Sequence, residues 1–510
     1  MQMTKLRGVV NLVAVNKTFL RCSTSMTKEN TEAVQNVKSF EEIPGPPSLP
    51  FLGSILSFLP GGKLSGLKGI QLNDKMYQLY GPIVKAGVFM GSPPMIMLFD
   101  ADATEQILRS ENTMPIRLGF ASLEYYRKNH NKTYDPKRQT GLITDHGESW
   151  KDFRSKVNPI MMQPKTIKLY KDVLDEVAND MVAKLRTDRD ENNMITKNID
   201  FEMNLWALES IGVVALGSRL NCFNPKLPAD SPVRKLIKNV HAVFQVMSEL
   251  DFAPSPWRYF ATPAFNNAMK VYEEQETLSK FFIDQAMKNM EKSEKKNVPS
   301  NSEKPVLEKL LEIDVRIAHI MASDMLMAGV DTAANTVLAT FYLLAKNPEK
   351  QKKLREEVLA KDGRNAYLRA CIKESMRMLP VVNGNVRLTT KEYDLLGYRI
   401  PKDVMIVLCH QYMANMKEHY PRPDEFIPER WLTDKEDPLY YGNTHPFVNI
   451  PFGYGVRMCI GRRIAELEMQ TFVSKVVENF DIGWTGGPIN ITANALNYIT
   501  GPFHFVFKDL

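Results

Sequence analysis

The sequence predicts one large, mainly α-helical domain with small β-sheets near its edges. Three observations carry that expectation. The chain has 510 residues, enough for two or three ordinary domains, yet no second composition regime follows the N-terminus. Helical periodicity dominates from about Gly147 to Met290 and again from Val315 to Leu379. Short β-like runs are confined to the region before Leu108 and the region after Pro380.

The totals narrow the function classes. Apolar residues make up 44% of the chain and charged residues 24%, the balance of a globular protein with a large core. A net charge of +6 is mild for this length. No arginine-rich stripe with interleaved aromatics appears, which argues against nucleic acid as a partner. Five cysteines (Cys22, Cys222, Cys371, Cys409 and Cys459) are odd in number and widely spaced. That argues against a disulfide framework and CxxC-type zinc sites, and points to a reducing compartment.

Residues 1–30 hold Lys5, Arg7, Lys17, Arg21 and Lys28 and no acid before Glu29. Their longest apolar stretch, Gly8 to Val15, is broken at Asn11 and falls far short of the roughly 20 residues a spanning helix needs. Spaced cations, hydroxyls from Ser23 to Thr27 and missing acids are those of a mitochondrial transit peptide. Residues 31–50 form a proline-rich lead-in, stiffened by Pro44, Pro46, Pro47 and Pro50. Residues 51–510 make up the single domain. Within it, "PIVKAGV" and "MIMLF" read as strands, and Asp102 as a helix start before "ATEQILRS". Proline-bounded loops from Asn224 to Pro232 and from Ala253 to Pro263 interrupt a mostly amphipathic helical region. "EKSEKKNVPSNSEKP" (Glu291 to Pro305) is polar and aperiodic, a surface loop. A long helix follows from Val315 to Lys346, then helices on "EKQKKLREEVL" and "YLRACIKESMRML". The pieces "EYDLLGYRI" and "VMIVLCHQY" are β-like, Ile460 to Phe480 is helical, and "FHFVFKDL" closes the chain as β. No internal repeat is found.

Chemistry concentrates in "PFGYGVRMCIGRR" (Pro451 to Arg463). The thiolate, not the thiol, binds metal. A helix beginning at Ile460 would direct backbone N–H groups and positive dipole potential at Cys459. Gly453, Gly455 and Gly461 permit tight turns and the close approach of a flat ligand. Arg457 can pair with an anionic group on that ligand. One thiolate with no neighbouring ligand is not a zinc site, which takes about four. It suits iron already held by a macrocycle, which is haem.

These residues resemble the cytochrome P450 family, whose cysteine loop F-x-x-G-x-R-x-C-x-G is matched by Phe452, Gly455, Arg457, Cys459 and Gly461. The resemblance runs from about Pro44 to the C-terminus. It implies the P450 fold, with haem b (iron protoporphyrin IX, axial thiolate) between a long central helix and the cysteine-loop helix, and Cys459 as the iron ligand. Further motifs follow in the family's order. "KESMR" and "FIPERW" supply Glu374, Arg377 and Arg430, similar to the family's structural Glu–Arg–Arg triad. "MAGVDTAANT" resembles the oxygen-activation motif (A/G)-G-x-(D/E)-T through Ala328, Gly329, Asp331 and Thr332. Ala328 and Thr332 are four apart and share a helix face, so the Thr332 hydroxyl can bond back to the i−4 carbonyl. The small Ala328 and Gly329 leave room for a diatomic ligand, and Asp331 is placed to relay protons to Thr332. Trp150 and Arg154, four apart on a helix, match the W-x-x-x-R that holds a haem propionate, and Arg387 in "NGNVR" matches a further propionate partner.

Arg462 and Arg463 begin the helix after Cys459, where the dipole disfavours cations. Arg369 and Lys373 are spaced i, i+4 on another helix. All four match the basic positions at which mitochondrial P450s receive a ferredoxin of the adrenodoxin type, itself served by a reductase. The family likeness is nearest to insect mitochondrial P450s of the detoxification-like branch. The activity it implies is an oxygen-dependent monooxygenase acting on an apolar small molecule, xenobiotic or steroid-like, at the matrix side of the inner mitochondrial membrane with peripheral membrane contact. Alternatives are a steroid hydroxylase of the ecdysteroid pathway, a haem–thiolate isomerase or dehydratase, and a non-catalytic haem-binding sensor. The family position of the substrate pocket is Pro115 to Tyr126, Phe244 to Met247, Met321, Met325 and Ala328, Val381 to Asn385, and Tyr498 to Thr500. One departure stands out: only "AKDGRNA" separates "LREEVL" from "YLRACIKES", where the family has a longer segment with another short helix.

Overall fold

The helix expected at Val315–Lys346 spans those residues and forms the centre of the computed structural model, which describes residues 37–87, 92–130, 139–195, 198–294, 304–361 and 363–510. Asp314 caps it, its carboxylate accepting the Arg316 N–H at 2.7 Å. The helices that build the site are α1 (Gly147–Met161), α2 (Ile199–Leu216), α3 (Pro232–Met247), α4 (Pro263–Glu294), α5 (Val315–Lys346), α6 (Pro348–Ala360), α7 (Ala366–Met378) and α8 (Arg462–Asn479). Helix α5 packs against α2, α4, α7 and α8, which is why its residues are buried on almost every face. Helix α2 departs from the amphipathic expectation. It is apolar all round because α5, α3, α4 and the helix Lys171–Asp188 enclose it.

The strands place the remaining site residues. Ile83–Ala86, Met95–Leu98, Met405–Leu408 and Asn385–Leu388 form a mixed sheet in that order; Met95–Leu98 pairs parallel with Met405–Leu408, in register Met95↔Met405. The antiparallel partner Asn385–Leu388 carries Arg387, opposite Ile406. Phe505–Asp509 lies between Met194–Ile195 and Phe480–Trp484. A hairpin of Asn490–Ala493 and Asn497–Thr500 rests on α5, where the Ile499 N–H donates to Asn335 Oδ1 at 2.9 Å.

Several boundaries differ from the sequence reading. Asp100, not Asp102, caps the early helix: its side chain accepts the Ala103 N–H at 2.8 Å, so the helix begins at Ala101. Helix α8 begins at Arg462 rather than Ile460, with Gly461 as its cap residue, and Phe480 already belongs to a strand. "VMIVLCHQY" splits into the strand Met405–Leu408 and a short helix, His410–Met413. Helix α4 reaches Glu294, taking the start of the expected loop. The rest of that loop to residue 303, and the leader, lie outside the described residues. The proline-rich lead-in is fixed to the domain: Lys38 N–H donates to Gly397 O and Lys85 N–H to Pro44 O, at 2.9 and 2.8 Å. The abbreviated connector between α6 and α7 turns through left-handed φ values at Lys361 (51°), Gly363 (74°) and Asn365 (46°).

Candidate functional site

The cysteine loop is closed by its own backbone. Gly453 N–H donates to Ile450 O at 2.8 Å, Met458 N–H to Gly455 O at 3.0 Å, and Cys459 N–H to Phe452 O at 2.9 Å. Gly453 and Gly455 hold φ values of 71° and 73°, where a side chain would be strained. Gly461 has an ordinary φ of −84°, and its N–H serves the Cys459 sulfur. The thiol is accessible, but to an internal cavity of about 140 Å³ and not to the outer surface. Burial pushes the Cys459 thiol up, outweighing the Gly461 N–H and the cations Arg154, Arg117 and Arg462 that pull it down. The Gly461 N–H and these cations favour the anion, as the sequence leads one to expect, and burial opposes them. A metal ion bound at Cys459 would favour the thiolate further.

Across the cavity lies α5. Ala328 is exposed in the middle of an otherwise buried helix, and Thr332 is partly open beside it; both line the same cavity as Cys459. Thr332 Oγ1 donates to Ala328 O at 2.7 Å, the expected i−4 bond. Gly329 also lines the cavity, but it has a second reason to be small: a Cβ there would come within 2.8 Å of Ile211 Cγ1 on α2. Asp331 does not point into the cavity. Successive helix residues diverge by about 100°, and its carboxyl turns toward α3 and the hairpin. There Oδ2 accepts the Tyr498 hydroxyl at 2.7 Å and lies 3.7 Å from His241 Nδ1. The two rings meet edge to face at 4.7 Å.

A group of arginines occupies the flank of the cysteine loop. Arg457 donates to Pro115 O, Leu142 O and Asp145 O at 3.0, 3.2 and 2.8 Å, and lies 4.0 Å from the Trp150 ring centroid. Arg154 donates to Met458 O at 3.0 Å. Arg387 is paired with Glu111. Burial depresses Arg457 to about 9, helped by repulsion from Arg117, Arg387 and Arg154. It depresses Arg117 to about 10, with Arg387 again contributing. Arg117 Nε is enclosed with no partner among the described residues. Buried like charges of this kind call for an anionic group. Together with the slot between Cys459 and Ala328, that is the donor set a haem with its two carboxylates requires. Sequence reasoning missed Arg117; a lone cation in the apolar run "PIRLGF" was its only signal.

Glu374, Arg377 and Arg430 are brought together with all three side chains fully buried. Arg377 forks onto Glu374 at 2.9 and 3.1 Å, Arg430 Nε reaches it at 2.9 Å, and Trp431 Nε1 donates to it at 2.9 Å. Arg377 and Arg430 also hold the carbonyls of Ala414, Pro423, Pro421 and Arg422. At the surface Lys373 feels Glu466, Arg369 and Arg462, so three of the four expected basic residues share one patch. Arg462 leans on Glu466 at 2.9 Å and stacks over Phe452 at 5.6 Å; Arg463 is exposed beside it.

Of the expected pocket residues, Met321, Met325 and Ala328 line the cavity. Phe244 and Met247 are buried in the core, and Tyr498 serves Asp331. Leu123 and Tyr126 border a neighbouring cavity of about 170 Å³. Glu468 on α8 was not anticipated. It lines the cysteine cavity, is pushed up to about 8 by burial, and its Oε1 has no partner among the described residues.

The family profile described as "Cytochrome P450" matches residues 43–497. Among curated proteins, Cytochrome P450 CYP12A2 of Musca domestica is 38% identical over 477 residues, covering 89% of this chain and 88% of its own. Probable cytochrome P450 12a5, mitochondrial, of Drosophila melanogaster is 37% identical over 494 residues (93% and 91%). Probable cytochrome P450 12b2, mitochondrial, of the same organism is 36% identical over 473 residues (89% and 86%).

Proposed function

We propose, from the premise that this chain belongs to the cytochrome P450 family, that it is a mitochondrial monooxygenase of apolar small molecules fed by a ferredoxin. The family's haem–thiolate group supplies the oxygen chemistry when bound, and members of the family are monooxygenases. The observation that carries the reading is the accessible Cys459 thiol facing Ala328 and Thr332 across an internal cavity, flanked by arginines short of counter-charge.

Each residue then has a task. Cys459 would hold the iron, and the Gly461 N–H and the closed loop fix the position of its sulfur. Arg457, Arg154 and Arg117 would meet the carboxylates, and the Trp150 ring stacks on Arg457. Arg387 contributes from the sheet, tethered by Glu111. The Glu374–Arg377–Arg430 lock anchors the segment leading to the cysteine loop and does no chemistry. Thr332 presents a hydroxyl to the cavity; with its proton on Ala328 O, its lone pairs can accept a hydrogen from water or substrate. Asp331 takes protons from the half-exposed His241, which its carboxylate favours in the protonated form; handing them to the cavity requires its carboxyl to turn away from Tyr498. Met321, Met325 and Ile211 exclude water and offer an adaptable apolar wall.

The patch of Arg369, Lys373, Arg462 and Arg463 receives an acidic ferredoxin of the adrenodoxin type, which its reductase recharges. A mitochondrial location is supported by the names of the relatives and by the leader composition; the matrix side of the inner membrane is where a ferredoxin donor would place it. No described helix is long and apolar enough to cross a membrane; exposed Phe51 (78%), Tyr259 (62%) and Phe260 (61%) offer peripheral contact instead. Reversing Arg369, Lys373, Arg462 and Arg463 to Glu tests the donor. Electron transfer from a mitochondrial-type ferredoxin should fall at least tenfold at low salt while haem content holds, and the wild-type rate should drop as salt screens the patch. An unchanged rate would refute the ferredoxin assignment.

A further inference from the structure

An acid lies buried among the arginines beside the cysteine loop. Glu111 follows the helix that ends at Arg109, and its carboxylate is paired with Arg387 on the strand Asn385–Leu388. The two side chains are only 10% and 4% exposed. Arg387 also donates through Nη1 to Val386 O at 3.0 Å and through Nη2 to Tyr454 O at 3.5 Å. A Cβ on Gly455 would stand 4.0 Å from Glu111 Oε2, so that oxygen faces the cysteine loop itself, at a residue four before Cys459. Arg457 lies within range of its charge as well.

Holding Arg387 in place does not require an acid. Arg457, on the same flank, is held by the carbonyls of Pro115, Leu142 and Asp145. A buried carboxylate is costly by comparison: burial pushes the Glu111 carboxyl up, against the pull of Arg387 and Arg457. What an acid adds, and a carbonyl cannot, is a full negative charge. Arg117, Arg154, Arg387 and Arg457 repel one another across this flank, and Glu111 offsets one of them. Charge buried beside a haem acts on its affinity for an electron, because little solvent screens it.

We propose that Glu111 sets the reduction potential of the bound haem: its carboxylate offsets the neighbouring arginines and makes the haem harder to reduce. The reduction is a one-electron step. A reduced iron–sulfur ferredoxin gives up the electron and is oxidised, and ferric haem becomes ferrous. Glu111 therefore bears on which donors are strong enough to feed the enzyme. This inference rests on the reading of the flank as the place of the haem carboxylates.

Haem-loaded, substrate-free protein is titrated in a spectroelectrochemical cell with redox mediators. Glu111→Gln keeps the shape of the side chain and removes its charge. Glu111→Asp keeps the charge and shortens the side chain by one methylene. The glutamine variant should favour the ferrous form about tenfold more than wild type, a rise of about 59 mV in midpoint potential for one electron. The aspartate variant should lie closer to wild type than to Glu111→Gln. Adding Arg387→Gln to Glu111→Gln removes both charges and should return the potential toward wild type. A merely structural tether predicts otherwise, since the shortened acid would disturb Arg387 at least as much as the glutamine does. An unmoved potential in Glu111→Gln, a rise that Glu111→Asp shares in full, or a double variant that keeps the whole rise overturns the inference while leaving the flank reading in place. A folded wild type that takes up no haem overturns both. Should Glu111→Gln fail to load haem, Glu111→Ser, which leaves room for water against Arg387, carries the same prediction.

Discussion

Replacing Glu374 with Gln keeps the shape of the side chain and removes its charge. Glu374 Oε1 accepts Arg377 Nη2 at 2.9 Å, Arg430 Nε at 2.9 Å and the Ile427 N–H at 3.3 Å; Oε2 accepts Arg377 Nε at 3.1 Å and Trp431 Nε1 at 2.9 Å. A glutamine offers one acceptor oxygen, so its N–H₂ must face two or more of these donors. Arg377 and Arg430, both fully buried, are left with no carboxylate between them. Removing one partner of a buried ion pair costs about 3–5 kcal/mol, a large share of a folded protein's total stability, itself about 5–15 kcal/mol. Urea unfolding followed by tryptophan fluorescence should show that loss directly. Haem retention should fall with it, because the lock joins the segment after Pro421 to α7, and α7 packs on α8, the helix that follows Cys459. Glu466→Gln is the control. Glu466 pairs with Arg462 at the surface, so its loss should stay within about 1 kcal/mol. A Glu374→Gln protein within about 1 kcal/mol of wild type and with full haem content would refute the argument that the triad anchors the site.

Two further outcomes follow from the cavity. Thr332→Ala should lower the coupling of oxygen consumption to product by at least tenfold, with hydrogen peroxide released instead. Stability should stay within about 1 kcal/mol, since the lost bond goes to a carbonyl already in the helix; unchanged coupling would remove Thr332 from proton handling. Glu468, pushed up to about 8 from an ordinary 4.5 by burial, retains its proton in the fold while the unfolded chain has lost it. Its contribution is therefore full below about pH 4.5 and declines as pH rises toward 8, by at most about 1.4 kcal/mol per unit. Glu468→Gln should flatten that decline in urea midpoints measured across pH 5–8, and an unaltered pH profile would show that Glu468 is ionised in the fold.

Much of the fold was legible because its signals are local. The span of α5 follows from a long, mostly apolar stretch at helical period, interrupted only by short polar pieces such as Asp331 and Thr332. The cysteine loop follows from glycines at the two positions that need left-handed φ. Boundaries were less legible where two residues compete for one job, as with Asp100 and Asp102. The site divides the same way. Spacing within one helix correctly gave the Thr332–Ala328 bond and the pairing of Glu374 with Arg377. It could not say where Asp331 turns, because that depends on Tyr498 and His241, far away in the chain. Arg117, Asp324 and Glu468 look like ordinary charges in sequence. Only tertiary packing buries Asp324 and Glu468 in the wall of the cysteine cavity and brings Arg117 under the influence of Cys459.

The most direct test is the absorption of the reduced, carbon-monoxide-bound protein, whose red-shifted band is the signature of a thiolate ligand. Wild type should show it. Cys459→Ser, folded to the same circular dichroism spectrum, should lack it; a serine variant that keeps the band would contradict the placement of the iron on Cys459.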